Sequence, residues 1–234
     1  MPTLAQIDET QLNALVKLVG PADEAPLWSA LEKTPLLAKR VQELDVVRSW
    51  WSDFDAVTAN DSTLWSRAIY PLLVLSEEER VRAWSQVPLR ATLDVGHGPV
   101  ELVGVVDGAL AREGVVGGTA VPPFLLVVEN KRGIDATDPR LQLLAAVLAS
   151  IDAERAQSET TLDAVERFGC FTVGDTWKFL HAVERVSEKE PRRVMSIGWS
   201  RAFSERLEAA AILATLRGIV LRGVAGGSGW TSAG

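Results

Sequence analysis

The stretch that decides the fold is Pro123-Phe124-Leu125-Leu126-Val127-Val128-Glu129-Asn130-Lys131-Arg132-Gly133. A continuous apolar run this short suits a strand covered on both faces, at the centre of a sheet with helices on either side. The run stops abruptly at an acid and a lysine two residues apart. On a strand such residues point to the same face, so Glu129 and Lys131 project together from the end of an apolar element. Placing both at the edge of a core costs several kcal/mol unless something compensates.

Working outward, Asp138-Pro139 reads as a helix start, an N-cap acid followed by proline at the first helical position. Residues 140–155 are apolar almost all round, which predicts a well-buried helix. Residues 167–173 and 176–182 read as strands joined by Gly174-Asp175, a favoured two-residue turn. Another strand is expected over 192–199 and a long helix over 201–222. Upstream, residues 89–95 and 100–112 are rich in Val and Leu and flank Gly96-His97-Gly98-Pro99, a hairpin signal. Residues 77–84 are expected to be helical, capped by Ser76. Asn60-Asp61-Ser62-Thr63 offers N-caps for a helix carrying Leu64, Trp65, Ala68, Ile69, Leu72 and Leu73, with a kink or an end expected at Pro71. Residues 1–52 read as three helices, the first carrying Leu12, Leu15, Val16 and Val19. The expected organisation is an α/β fold, a mixed central sheet flanked by helices. A helical N-terminal extension covers 1–59, the main domain covers 60–223, and a flexible tail covers 224–234.

The 234 residues are 47% hydrophobic and 24% charged, a balance that excludes disorder for most of the chain. The one cysteine, Cys170, excludes a disulfide framework. No apolar run reaches the roughly 18 residues of a membrane span, and the N-terminus lacks a signal-peptide pattern. An intracellular location is expected, cytoplasmic or, in a eukaryote, nuclear. Twenty-four basic residues against 31 acidic ones give a net charge of −7. The chain is therefore not a basic protein that coats nucleic acid, and a polyanion partner would need a local patch or a metal ion.

A second acid interrupts an apolar run in Val105-Val106-Asp107-Gly108, and Gly108 is expected to leave space beside it. With the two strands adjacent and antiparallel, Asp107 lies next to Glu129. Two carboxylates and a backbone carbonyl, that of Asn130, suit Mg²⁺ or Mn²⁺, with waters completing the shell. A cation held there lowers the pKa of bound water and neutralises a phosphate oxygen. Lys131 would orient or deprotonate the attacking water, or stabilise charge on the phosphate. Arg132 and Arg140 are candidate phosphate contacts. The plain alternatives are a strand-end salt bridge for Glu129 and Lys131, an N-cap for Asp61, a backbone-satisfying role for Gln142 and solvated surface for the arginines.

At these residues the sequence resembles the PD-(D/E)XK nuclease superfamily, of restriction-endonuclease-like fold, and most of all the nuclease domain of type I restriction-enzyme R subunits. The resemblance spans roughly residues 60–182. It rests on Asp107, on Glu129-Asn130-Lys131 ending the next strand, on Gln142 in the first turns of the following helix, and on Thr172-Val173-Gly174-Asp175-Thr176-Trp177-Lys178-Phe179, which looks like the family's hairpin. It implies a Mg²⁺-dependent hydrolase of DNA phosphodiesters, with Asp107, Glu129, Lys131 and Gln142 as the catalytic set. Asp61 is the nearest match to the acid that the family carries on its first helix, where glutamate is usual. Ala146 stands where an aromatic residue often follows the glutamine. Two further readings stay open: a catalytically inactive module of the same fold that binds nucleic acid or protein, and a regulatory or effector protein that docks partners through its N-terminal helices.

Overall fold

The computed structural model describes residues 3–20, 24–51, 58–94, 98–114, 120–132, 138–157, 163–185 and 193–226. The chain runs α1 (Glu9–Leu15), β1 (Val16–Val19), α2 (Ala25–Glu32), α3 (Ala38–Trp51), α4 (Asp61–Leu64), a π-helical turn (Trp65–Ile69) and α5 (Tyr70–Leu75). It continues through β2 (Val81–Asp94), β3 (Pro99–Glu113), β4 (Ala120–Lys131), α6 (Arg140–Gln157), β5 (Ala164–Val173), β6 (Thr176–Arg185), β7 (Arg193–Ser204) and α7 (Glu205–Gly226). The seven strands form one mixed sheet in the order β1-β7-β6-β5-β4-β3-β2. The β4–β5 and β1–β7 pairs are parallel and the rest antiparallel. The α/β architecture with helices on both faces is thus the one expected.

The apolar run does what its composition demands. Residues 122–130 of β4 are all buried, with β3 on one side and β5 on the other. Two cores lie on opposite faces of the sheet. One gathers Trp28, Leu44, Leu72, Val128, Trp177 and Leu213 beneath α2, α3, α5 and α7. The other gathers Leu12, Val106, Val127, Leu144, Val147 and Leu180 beneath α1 and α6. Each fully buried Leu or Val contributes about 1.5–3 kcal/mol.

The structure corrects three sequence expectations. Val16–Val19 does not continue the first helix but forms β1, pairing with Arg193–Ser196 at the sheet edge. Side chains of the N-terminal segment enter both cores, Leu4 and Val16 on one face and Trp28 and Leu31 on the other. Residues 81–84 are not helical; β2 starts at Val81, and the Glu77 carboxylate accepts the Ala83 N–H at 2.9 Å. The alternation of buried Val81, Ala83, Val87, Leu89, Ala91 and Leu93 is the strand period, stretched over a length in which Gln86 takes φ +53°. β7 runs to Ser204, so the final helix begins at Glu205 instead of near 201.

Pro71 neither breaks nor ends its helix. It lacks the N–H that would bond to Arg67, and the turn before it widens so that the Tyr70 N–H bonds to the Trp65 carbonyl five residues back. The predicted turn at Gly174-Asp175 is present, with Gly174 at φ +60°. Gly198 of β7 leaves room for the Glu24 side chain, since a Cβ there would lie 2.2 Å from Glu24 Cγ. Glu24 thereby reaches His181 Nδ1 at 2.8 Å, while Glu166 meets Nε2 at 2.8 Å. Residues 227–234 of the expected tail, and His97 of the β2–β3 turn, lie outside the described residues.

Candidate active site

The site forms where the β3–β4 ladder stops. Gly108 pairs with Val128, and beyond that pair the Asp107 carboxylate accepts the Asn130 N–H at 2.7 Å in place of a ladder bond. Asp107, midway along β3, and Glu129, near the end of β4, therefore come side by side on neighbouring antiparallel strands, as the pattern predicts. The space beside Gly108 is not open: the Trp65 ring fills it, and a Cβ would lie 2.2 Å from Trp65 Cη2. The glycine thus admits the indole of the π-helical turn on the face away from α6.

Glu129 is completely buried. Gln142, on the first turn of α6, donates from Nε2 to Glu129 Oε2 at 2.7 Å. That turn is positioned as the sequence implies: the Asp138 carboxylate accepts the Arg140 N–H at 3.0 Å, and the Pro139 carbonyl accepts the Leu143 N–H at 2.9 Å. Lys131 Nζ lies 3.8 Å from Glu129 Oε2, an electrostatic contact longer than a hydrogen bond. The other carboxylate oxygen, Glu129 Oε1, is buried with no hydrogen-bond partner. An orphaned acceptor of this kind costs about 1–3 kcal/mol.

Two neighbours hold this arrangement from the opposite face. Asn130 donates from Nδ2 to the Asp61 carbonyl at 3.1 Å and accepts the Thr172 hydroxyl at 3.0 Å. Gly174, in the β5–β6 turn, donates its N–H to the Lys131 carbonyl at 3.1 Å. The threonine and glycine of the hairpin thus fasten the end of β4. Its tryptophan, Trp177, donates to Glu205 Oε2 at 2.7 Å and anchors the start of α7.

Burial pushes the Glu129 carboxyl up, and the Asp107 charge pushes it further; Lys131 and Gln142 oppose them, and the net value is about 8. Burial also raises Asp107, against the Asn130 N–H, Lys131 and Gln86, and the nearby Asp61 charge adds to the rise. Two facing acids that resist ionising together are the electrostatic signature of a site that gains from a cation. The donors are hard oxygens, as Mg²⁺ or Mn²⁺ requires, and the unpartnered Glu129 Oε1 offers a lone pair. Among the described residues no group of three or more His, Cys, Asp or Glu side chains is gathered for a metal. A cation here would rest on Asp107 and Glu129, with backbone and water oxygens completing the shell.

The other expected residues fall as follows. Asp61 is exposed at the start of α4; it is not the N-cap, a role taken by Asn60, whose Oδ1 accepts the Thr63 N–H at 2.9 Å. Its charge reaches Asp107 and its carbonyl holds Asn130, so it borders the site. Arg132 is exposed immediately after β4. Arg140 is already engaged: its Nε lies 2.9 Å from both Asp138 oxygens, and that hydrogen-bonded pairing raises its pKa. Gln86 was not predicted. It stands across from Asp107 on β2 and its Nε2 lies 3.4 Å from Oδ1, a placement that depends on a positive φ which a glutamine does not announce. Cys170 is buried and its thiol is pushed well up by burial, consistent with a packing role. No described helix is long and apolar enough to cross a membrane.

No known family model matches this sequence, and no curated protein is similar to it. The functional reading therefore rests on the site itself.

Proposed function

We propose that this protein is a Mg²⁺-dependent nuclease of restriction-endonuclease-like fold that hydrolyses DNA phosphodiester bonds. The observation that carries the reading is the convergence of Asp107, Glu129 and Lys131 where the β3–β4 ladder stops, with one Glu129 oxygen buried and unpartnered. Asp107 and Glu129 would hold the cation, which supplies an acidified water and neutralises phosphate charge. Gln142 fixes the orientation of the Glu129 carboxylate through its 2.7 Å bond. The Asn130 N–H, at 2.7 Å, does the same for Asp107. Lys131 would hydrogen-bond the attacking water or a non-bridging phosphate oxygen. In the reaction the water gives up a proton to solvent as its oxygen bonds to phosphorus, the phosphorus–oxygen bond to the sugar breaks, and the departing oxygen takes up a proton from solvent. Products are a phosphomonoester and an alcohol.

The test is cleavage of labelled duplex, single-stranded and branched DNA with Mg²⁺, with Mn²⁺ and with EDTA. The proposal expects metal-dependent cleavage that Lys131→Ala abolishes while circular dichroism stays native. Absence of cleavage on all three substrates would refute it. A second reading, a binding module that does not cut, is favoured by the net charge of −7 and by the engagement of Arg140 with Asp138. It predicts no rise in melting temperature with Mg²⁺ and partner binding that Asp107→Ala leaves intact.

A further inference from the structure

One transverse row of side chains crosses the sheet on the face covered by α6. It passes from Asp107 on β3 to Glu129 on β4, then to Phe171 on β5 and Lys178 on β6. Glu129 pairs with Phe171, and Phe171 pairs with Lys178. Side chains of paired residues share a face, so the acids, the ring and the ammonium lie in line. An irregularity in the β6–β7 ladder between Lys178 and Leu180 brings Trp199 of β7 beside them. The Phe171 and Trp199 ring centroids are 5.8 Å apart with planes inclined at 66°. Lys178 Nζ lies 5.8 Å from the Trp199 centroid. Two strand spacings, about 10 Å, separate Glu129 from Lys178.

Phe171 and Trp199 pack against the core beneath α6, at its margin. Trp177, Phe179 and Leu180 around Lys178 are fully buried, whereas Phe171, Lys178 and Trp199 are all half-buried. Lys178 makes no ion pair among the described residues; its ammonium faces the Trp199 ring. α6 packs mainly over β2, β4 and β5, which leaves the β6–β7 end of the row less covered. An aromatic pair with a cation beside it is what an unpaired nucleobase and its phosphate need: a π-face to stack on and a charge for the backbone. Bases within an intact duplex are stacked on one another and cannot use such a platform.

We propose that Phe171, Lys178 and Trp199 form a platform for an unpaired base of single-stranded DNA, adjoining the phosphate held at Asp107, Glu129 and Lys131. The inference rests on the nuclease reading and narrows it. The substrate is an unpaired strand, and Lys178 lifts from the ring to meet the backbone as the base stacks.

The experiment measures binding of a short labelled oligothymidylate and of a duplex of the same length by fluorescence anisotropy in EDTA, where the proposed cleavage is off. Trp199→Ala is expected to weaken the unpaired strand about tenfold or more and to leave the duplex unchanged, while Trp199→Phe, which keeps a stacking face, stays near wild type. Lys178→Gln, which removes no buried ring, is expected to weaken the same strand and to flatten its salt dependence. It keeps the test decisive should Trp199→Ala fail to fold. Equal affinity of wild type and Lys178→Gln, or of wild type and a folded Trp199→Ala, would overturn the platform. Cleavage in Mg²⁺ is scored separately: cutting without any dependence on these residues leaves the nuclease standing and removes the platform, whereas Trp199-dependent binding without cutting does the reverse.

Discussion

Replacing Glu129 by glutamine should make the protein more stable in alkaline solution without metal. The Glu129 side chain is 1% exposed, and burial together with Asp107 raises its carboxyl from 4.5 to about 8. Between those values the unfolded chain has released a proton that the folded chain keeps, so stability falls as pH rises. Taken whole, the shift is worth at most about 5 kcal/mol, of which about 3 kcal/mol has been lost by pH 7. A glutamine fills the same volume and has no proton to lose. Urea denaturation in EDTA should therefore show the wild type losing about 1.4 kcal/mol per pH unit relative to Glu129→Gln from about pH 5 to 8. Mg²⁺ favours the ionised carboxylate, so adding it near pH 8 should recover wild-type stability and leave the variant unmoved. A difference between the two proteins that stays flat with pH in EDTA would show that Glu129 ionises normally in the fold, and the electrostatic argument for the site would fail.

Three other outcomes follow from named contacts. Gly108→Ala places a Cβ 2.2 Å from the Trp65 ring and 3.0 Å from the Trp84 carbonyl, so it should destabilise by about 1–3 kcal/mol in thermal or chemical melts. Glu184 is fully buried and binds Arg155 and Arg193; Glu184→Ala takes from both guanidinium groups the buried carboxylate they share and should cost about 3–5 kcal/mol by urea titration. Burial alone would raise Glu166, but hydrogen bonds from His181 and Arg222 outweigh it and hold the carboxyl at about 2. Its contribution is present above about pH 4.5 and disappears as pH falls toward 2; with the group 34% exposed, solvent screening leaves about 1 kcal/mol of it, and Glu166→Gln should flatten the acid limb of stability by that amount.

Much of the site was legible because its determinants are local. The apolar run 122–128 had to be a buried strand, and the two-residue alternation put Glu129 and Lys131 on one face. Asp138-Pro139 fixed the start of α6 and with it the reach of Gln142. Gly174-Asp175 fixed the hairpin whose turn bonds to Lys131. What escaped was set by tertiary pairing. Val16–Val19 has both a helical spacing and β-branched ends, and the free edge of β7 decided for strand. Ser76-Glu77-Glu78-Glu79 looks like a helix start, yet Val81–Trp84 finds the unpaired edge of β3. Gln86 reaches the site only through the register of β2, and the bond of Thr172 to Asn130 arises only from that of β5, which no local pattern encodes. The ion pair of Arg140 with Asp138 was hidden behind the cap signal of the same aspartate.

The central claim is that a divalent cation belongs between Asp107 and Glu129, and anomalous diffraction from a crystal of the protein soaked in Mn²⁺ tests it most directly. The account predicts a manganese peak within bonding distance of both carboxylates, absent in crystals of Glu129→Gln. A fully ordered pair of side chains with no peak between them, or a peak that persists in that variant, would contradict it.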